Sequence, residues 1–129
     1  MVYMNNAKIL IVEDDKFLRE LYCDILENEH YTVDQASDGE EGLKKITQGG
    51  YDIVLLDVVL AKINGIDIMK KIKADPPKNP NKYTIFFTNL DDRNQIKEAL
   101  KFADGYLVKS KTTPGSLVEK IKSCLKLVS

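Results

Sequence analysis

The chain alternates five times between short runs of aliphatic and β-branched residues and longer stretches whose apolar residues recur every three or four positions. The first run, from Lys8 to Glu13, precedes a helical pattern from Asp15 to Glu29 with Leu18, Leu21, Tyr22, Ile25 and Leu26 on one face. Tyr31 to Ala36 reads as a second strand. Asp38 to Thr47 reads as a second helix with Leu43 and Ile46 inward, closed by Gly49-Gly50. Tyr51 to Asp57 is apolar on both faces, which predicts a central parallel strand covered on each side. Gly65 breaks the loop that follows, and Ile66 to Ala74 predicts a third helix with Ile68, Met69 and Ile72 inward. Asp75 to Lys82 carries three of the four prolines and reads as a loop. Strand Tyr83 to Thr88, helix Asp92 to Phe102, strand Gly105 to Lys109 and helix Pro114 to Leu127 complete the pattern. Asp15 suits a cap for the first helix, and Thr113, ahead of Pro114, a cap for the last.

Strict alternation of this kind predicts an α/β domain, a doubly wound parallel sheet of five strands with five helices on both faces. All strand carboxyl ends then lie along one edge, where open α/β sheets place their binding sites. Four of the apolar runs stop there on polar residues. KILIV ends at Glu13, Asp14 and Asp15, DIVLL at Asp57, TIFF at Thr88 and YLV at Lys109.

A length of 129 residues fits one domain, with a core from about residue 7 to residue 127. The net charge of −1 argues against a phosphate-backbone binder, so nucleic acid is not an expected direct partner. No apolar run approaches the roughly 18 residues of a membrane span, and MVYMNNAKIL does not read as a leader. The expected location is therefore the cytoplasm, with no membrane partner. Cys23 and Cys124 are too few and too isolated for a disulfide framework or a zinc site. Cys124 shares a face with Leu117, Ile121, Leu125 and Val128 and reads as a small buried hydrophobe. His30, the sole histidine, reads as a surface residue.

The polar strand ends suggest a chemistry. Two like charges about 4 Å apart repel by about 1 kcal/mol in water and about 4 kcal/mol at an effective dielectric of 20, so Glu13, Asp14 and Asp57 call for a cation. An all-oxygen cluster without histidine or thiolate suits Mg²⁺, with Mn²⁺ as a second possibility, and leaves coordination positions for phosphate oxygens. One carboxylate could then attack phosphorus to give an aspartyl phosphate. Lys109 supplies a point charge for phosphoryl oxygens, and Thr88 a hydroxyl that can respond to them.

With those residues in view, the chain resembles the receiver domains of two-component response regulators, over nearly its whole length from about Ala7 to Leu127. The resemblance is carried by Glu13-Asp14-Asp15 after KILIV, DIVLLD ending at Asp57 with Gly65 beyond, Thr88 after IFF, and ADGYLVK from Ala103 to Lys109. It implies a flavodoxin-like sheet in strand order 2-1-3-4-5 and Asp57 as phosphoacceptor and metal ligand. Asp14 would be a direct ligand, Glu13 would act through metal-bound water, and Val59 would offer its backbone carbonyl. Thr88 and Tyr106 would form the switch, and Lys109 would bond the phosphoryl group. The implied donor is a histidine kinase or a histidine phosphotransfer protein. The implied output is a protein target bound at the fourth helix, fifth strand and fifth helix.

The chain departs from that pattern at three positions. Ala61 replaces a common proline, which should loosen the loop after Asp57. Ser110 replaces the proline after the lysine, where the family uses a cis peptide that costs a non-proline residue about 2.5–4 kcal/mol. Lys109 is then expected to be held less firmly, or on a trans loop. Asn89 stands where a small residue usually follows the threonine, and is expected to crowd the site. These departures leave room for a receiver-like interaction module that does not turn over phosphate. A phosphatase of the haloacid dehalogenase class would need a second acid two residues after its nucleophile, where this chain has Val59. A flavin-binding relative would need a phosphate loop where this chain has three acids. No DNA-binding or catalytic domain follows Ser129, so a stand-alone regulator or a piece of a longer chain is expected.

Overall fold

The computed structural model describes residues 6–89 and 93–128. Its elements run β1 (Lys8–Val12), α1 (Lys16–Glu27), β2 (Thr32–Ala36), α2 (Gly39–Gln48), β3 (Ile53–Leu56), α3 (Gly65–Ala74), β4 (Tyr83–Thr88), α4 (Arg93–Leu100), β5 (Gly105–Val108) and α5 (Pro114–Val128). The strands form one sheet in the order β2-β1-β3-β4-β5, all neighbours parallel. Both the doubly wound architecture and the implied strand order are as expected.

The period of two along the strands divides the interior into two layers. Ile9, Ile11, Ile53, Leu55, Ile85 and Phe87 pack with Cys23 and Leu26 of α1 and with Leu117, Ile121 and Cys124 of α5. Leu10, Val12, Val54, Leu56 and Phe86 point the other way, onto Ile46 of α2, Ile68 and Met69 of α3 and Ala99 of α4. β1 and β3 are thus apolar on both faces because helices cover both faces. Cys23 and Cys124 are buried free thiols, and burial pushes Cys23 up to about 12. His30 is exposed, as expected, in a left-handed conformation just past α1.

The helix starts follow their sequence cues. Asp15 accepts the Leu18 N–H at 3.0 Å, Asp38 the Glu41 N–H at 2.8 Å and Asn64 the Asp67 N–H at 2.9 Å. Thr113 Oγ1 accepts the Ser116 N–H at 3.0 Å, and the Ser116 hydroxyl accepts the Thr113 N–H in return at 2.8 Å. Among the described residues no helix is long and apolar enough to cross a membrane.

Most elements are a residue or two shorter than expected at one end or both, β3 losing Tyr51, Asp52 and Asp57, and two of the changed boundaries have a visible cause. Lys109 lies beyond β5, in a short 3₁₀ turn over Lys109–Lys111. Thr112 curls the chain at that point, its hydroxyl donating to the Val108 carbonyl at 2.6 Å and its N–H to the Lys109 carbonyl at 3.1 Å. The fourth helix was expected from Asp92, which lies outside the described residues. Its described part ends at Leu100, where Lys101 and Phe102 N–H groups bond back only three residues, to Glu98 and Ala99, and tighten the last turn.

Candidate functional site

Glu13 and Asp57 each sit one residue past a strand, but the ladder continues through their amides. Glu13 N–H donates to Ala36 O and Asp57 N–H to Val12 O, both at 3.1 Å. Both side chains are consequently carried inward at the sheet edge, with residue exposures of only 3 % and 6 %. Asp14 points outward and is exposed. One carboxylate oxygen from each of the three lies within 4.8 Å of the others. Such an all-oxygen set fits a hard divalent cation.

Lys109 reaches into the same cluster. Its Nζ donates to Asp57 Oδ2 at 2.6 Å and also to Glu13 Oε1. Burial alone would lower the Lys109 ammonium, yet its hydrogen bonds to Asp57 and Glu13 prevail and hold it above the ordinary lysine value. For Glu13 burial prevails over the Lys109 contact and raises the carboxyl. A backbone amide supports each acid. Asp15 N–H donates to Glu13 Oε2 at 3.2 Å, Val59 N–H to Asp57 Oδ1 at 3.2 Å, and Ala61 N–H to Asp14 Oδ2 at 3.3 Å.

Asp14, Asp57, Val59, Thr88, Asn89 and Lys109 line a cleft of about 310 Å³. Thr88 ends β4 almost fully buried, whereas the Val59 residue is 65 % exposed. Tyr106 stands apart from the cleft lining. It is half-buried on β5, on the layer facing α3 and α4, next to Ala103 and Phe102 in that cluster.

Gly65 positions Asp57 from behind. A Cβ there would lie 2.3 Å from the Asp57 carbonyl oxygen, so only glycine lets α3 start against the acid's own backbone. Its N–H donates to Val58 O at 2.8 Å.

Ala61 is hydrogen-bonded on both sides in the loop after Asp57, where it was expected to loosen the chain. The Ala61 carbonyl accepts the Gly39 N–H at 3.0 Å and the Ile63 N–H at 2.9 Å, while its own N–H holds Asp14. Lys62 adds a 3.1 Å ion pair with Asp38. A proline would lack the amide that meets Asp14. The trans alternative holds at Lys109, since no described peptide bond is cis.

Sequence reading overlooked Arg19, whose Nη1 donates to the Glu13 carbonyl at 2.8 Å and whose Nε donates to Gln35 at 3.2 Å. Nothing marked it, because an arginine on an amphipathic helix looks like any solvated cation. The amides of Val59 and Ala61 carry no side-chain cue either.

A parallel sheet with buried acids and an ammonium at its carboxyl edge defines a class, the α/β domains that handle charged groups at strand ends. The response regulator receiver domain family matches residues 9–122. ResD of Bacillus subtilis, a transcriptional regulatory protein, is 29 % identical over 97 % of this chain and 50 % of its own length. The response regulator ArlR of Staphylococcus saprophyticus is 39 % identical over 80 % of this chain and 46 % of its own. A CheY-like receiver domain protein of Methanospirillum hungatei has a solved structure that superposes with a TM-score of 0.82 at 31 % identity, over 94 % of both chains. The chain belongs to the response regulator receiver domain family. It spans about half the length of the curated relatives it matches.

Proposed function

We propose that Asp57 accepts a phosphoryl group from a phosphohistidine on a histidine kinase or histidine phosphotransfer protein. The carboxylate forms an O–P bond as the P–N bond breaks, and the released imidazole takes a proton from solvent. The observation that carries this reading is the Lys109 ammonium on Asp57 Oδ2, with Glu13 and Asp14 carboxylates within 4.8 Å of Asp57. The donor set fits Mg²⁺, or Mn²⁺, with Asp14 and Asp57 as direct ligands, Glu13 acting through water and Val59 through its carbonyl. When bound, the cation neutralises charge on the transferring phosphoryl oxygens. Lys109 then serves those oxygens as a point charge.

Thr88, buried at the wall of the cleft, follows the phosphoryl group, and Tyr106 repacks in the layer beside α4. The population of the α4–β5–α5 surface shifts as a result, and a protein target reads it. Residues 7–127 act as one signalling unit through protein contacts in the cytoplasm, with no direct nucleic-acid or membrane contact and no substrate turnover of their own.

Incubation with a small acyl phosphate and Mg²⁺, followed by intact mass, tests this. A phosphoryl adduct is expected in the wild type and absent in Asp57→Asn. No wild-type adduct, or one that persists in Asp57→Asn, sinks the proposal, and the first outcome favours an interaction module without phosphate turnover.

A further inference from the structure

One hydrogen bond ties together the loops that carry the hydroxyl and the ammonium. Asn89 directly follows Thr88, Ser110 directly follows Lys109, and Asn89 Oδ1 accepts the Ser110 N–H at 2.8 Å. We infer that Asn89 is a positioning residue whose carboxamide latches the Lys109 turn and fixes where the ammonium meets incoming phosphoryl oxygens. The inference rests on the functional reading above and names a determinant of the same site.

Geometry supplies the first argument. Thr88 and Val108 are register partners on neighbouring strands, so Asn89 and Lys109 leave β4 and β5 at the same level. The two Thr112 bonds close the Lys109 turn back on Val108, which the β4–β5 ladder holds, but neither reaches from the turn across to the segment after β4. The Asn89 bond makes that cross-link. It acts on the peptide unit joining Lys109 to Ser110, immediately after the lysine. Because the lysine stem is long and flexible, the ammonium's average position depends on where its backbone is anchored.

Chemistry supplies the second. A proline at 110 would have no N–H to donate, and an alanine at 89 would have nothing to accept it. Taken singly, Asn89 would crowd the site and Ser110 would free the lysine. Taken together they are donor and acceptor of one bond, and each offsets what the other removes. Asn89 also lines the cleft with Asp14, Asp57 and Lys109, so this bond sits at the wall where a phosphoryl group would enter. Both residues are exposed, so water competes for the bond and its effect is modest.

The test compares wild type, Asn89→Ala, Ser110→Pro and the double variant in four readouts. These are the affinity for beryllofluoride as a phosphoryl mimic in saturating Mg²⁺, the rate of acyl-phosphate labelling, Mg²⁺ affinity alone, and hydrogen exchange of the Ser110 amide. Asn89→Ala is expected to weaken beryllofluoride binding and slow labelling by about threefold to tenfold. It is expected to expose the Ser110 amide and not to weaken Mg²⁺ binding. The double variant is expected to bind beryllofluoride as weakly as Asn89→Ala does. Faster labelling in Asn89→Ala would mean that Asn89 acts by crowding, and overturns the latch. Additive losses overturn it too, as does a Ser110 amide that exchanges freely in the wild type. Ser110→Pro also restricts Lys109 and can distort the turn, in which case Asn89→Ala and the Ser110 amide decide alone. A wild type that takes neither probe overturns the functional reading, and Ser110 protection then still reports whether the bond exists.

Discussion

The inner and outer halves of the site are built on different principles. Inside, Glu13 and Asp57 are buried and share the one Lys109 ammonium, so about half of their formal charge is balanced before anything binds. Outside, Asp14 is exposed and held by a backbone amide at 3.3 Å, and Val59 is exposed as well. The inner half is costly to disturb because unpaired buried charge is costly. The outer half is cheap to disturb and open to exchange with solvent. The inner residues therefore bear on both folding and ligand affinity, whereas Asp14 bears on affinity with little cost to folding.

Lys109→Ala should break this contrast most severely. Removing one member of a buried ionic cluster typically costs about 3–5 kcal/mol, and urea unfolding at pH 7 without divalent cations should show a loss of that order. The same substitution should tighten Mg²⁺ binding in titration, because a competing cation has gone. A stability change under about 1 kcal/mol would mean that the inner acids do not depend on the ammonium.

Gly65→Ala should come next. A methyl 2.3 Å from the Asp57 carbonyl forces α3 or the acid's backbone to shift, at about 1–3 kcal/mol by thermal or urea unfolding, with slower labelling of Asp57. Asp14→Asn should leave stability within about 0.5 kcal/mol, as surface changes do, yet weaken Mg²⁺ by more than about tenfold. If Asp14→Asn instead unfolds the protein, the division between halves is wrong.

Two groups outside the site calibrate the comparison. With Cys23 pushed up to about 12 by burial, its thiolate is vanishingly scarce near pH 8, and a thiol reagent should label it only after unfolding. Burial would raise Asp34, but hydrogen bonds from Tyr51, at 2.6 Å, and Lys45, at 2.9 Å, prevail and hold it below the ordinary carboxyl value. A depressed carboxyl contributes stability that is present above its unfolded value and lost as pH falls through the folded one. Tyr51→Phe should therefore shift acid unfolding to slightly higher pH, the smallest effect of the set.

The sheet was legible because its signals are local and redundant. A run such as DIVLL is bounded by turn residues, apolar on both faces and flanked by amphipathic helices, and each cue alone points to a central strand. The acids, Thr88 and Lys109 were legible because topology forces strand ends together. What escaped depends on backbone groups. A missing proline at Ala61 reads as lost rigidity, and nothing in the sequence shows that the freed N–H reaches Asp14 across 47 positions of chain. Ser110 is a similar case, its amide meeting a carboxamide 21 residues away. Lys109 fell outside β5 because the Thr112 hydroxyl turns the chain, and a threonine gives no sign of which carbonyl it will find.

Among the described residues the two interior clusters lie on opposite faces of the sheet, and adjacent residues such as Tyr106 and Leu107 belong to opposite ones. A change of packing beneath α4 has no direct side-chain neighbour beneath α1 and α5. For lineages that duplicate and redeploy such a chain, this separation is an evolutionary freedom. One layer can change its packing residues while the other keeps its own, and only a surface that draws on both, such as α4–β5–α5, binds their histories together.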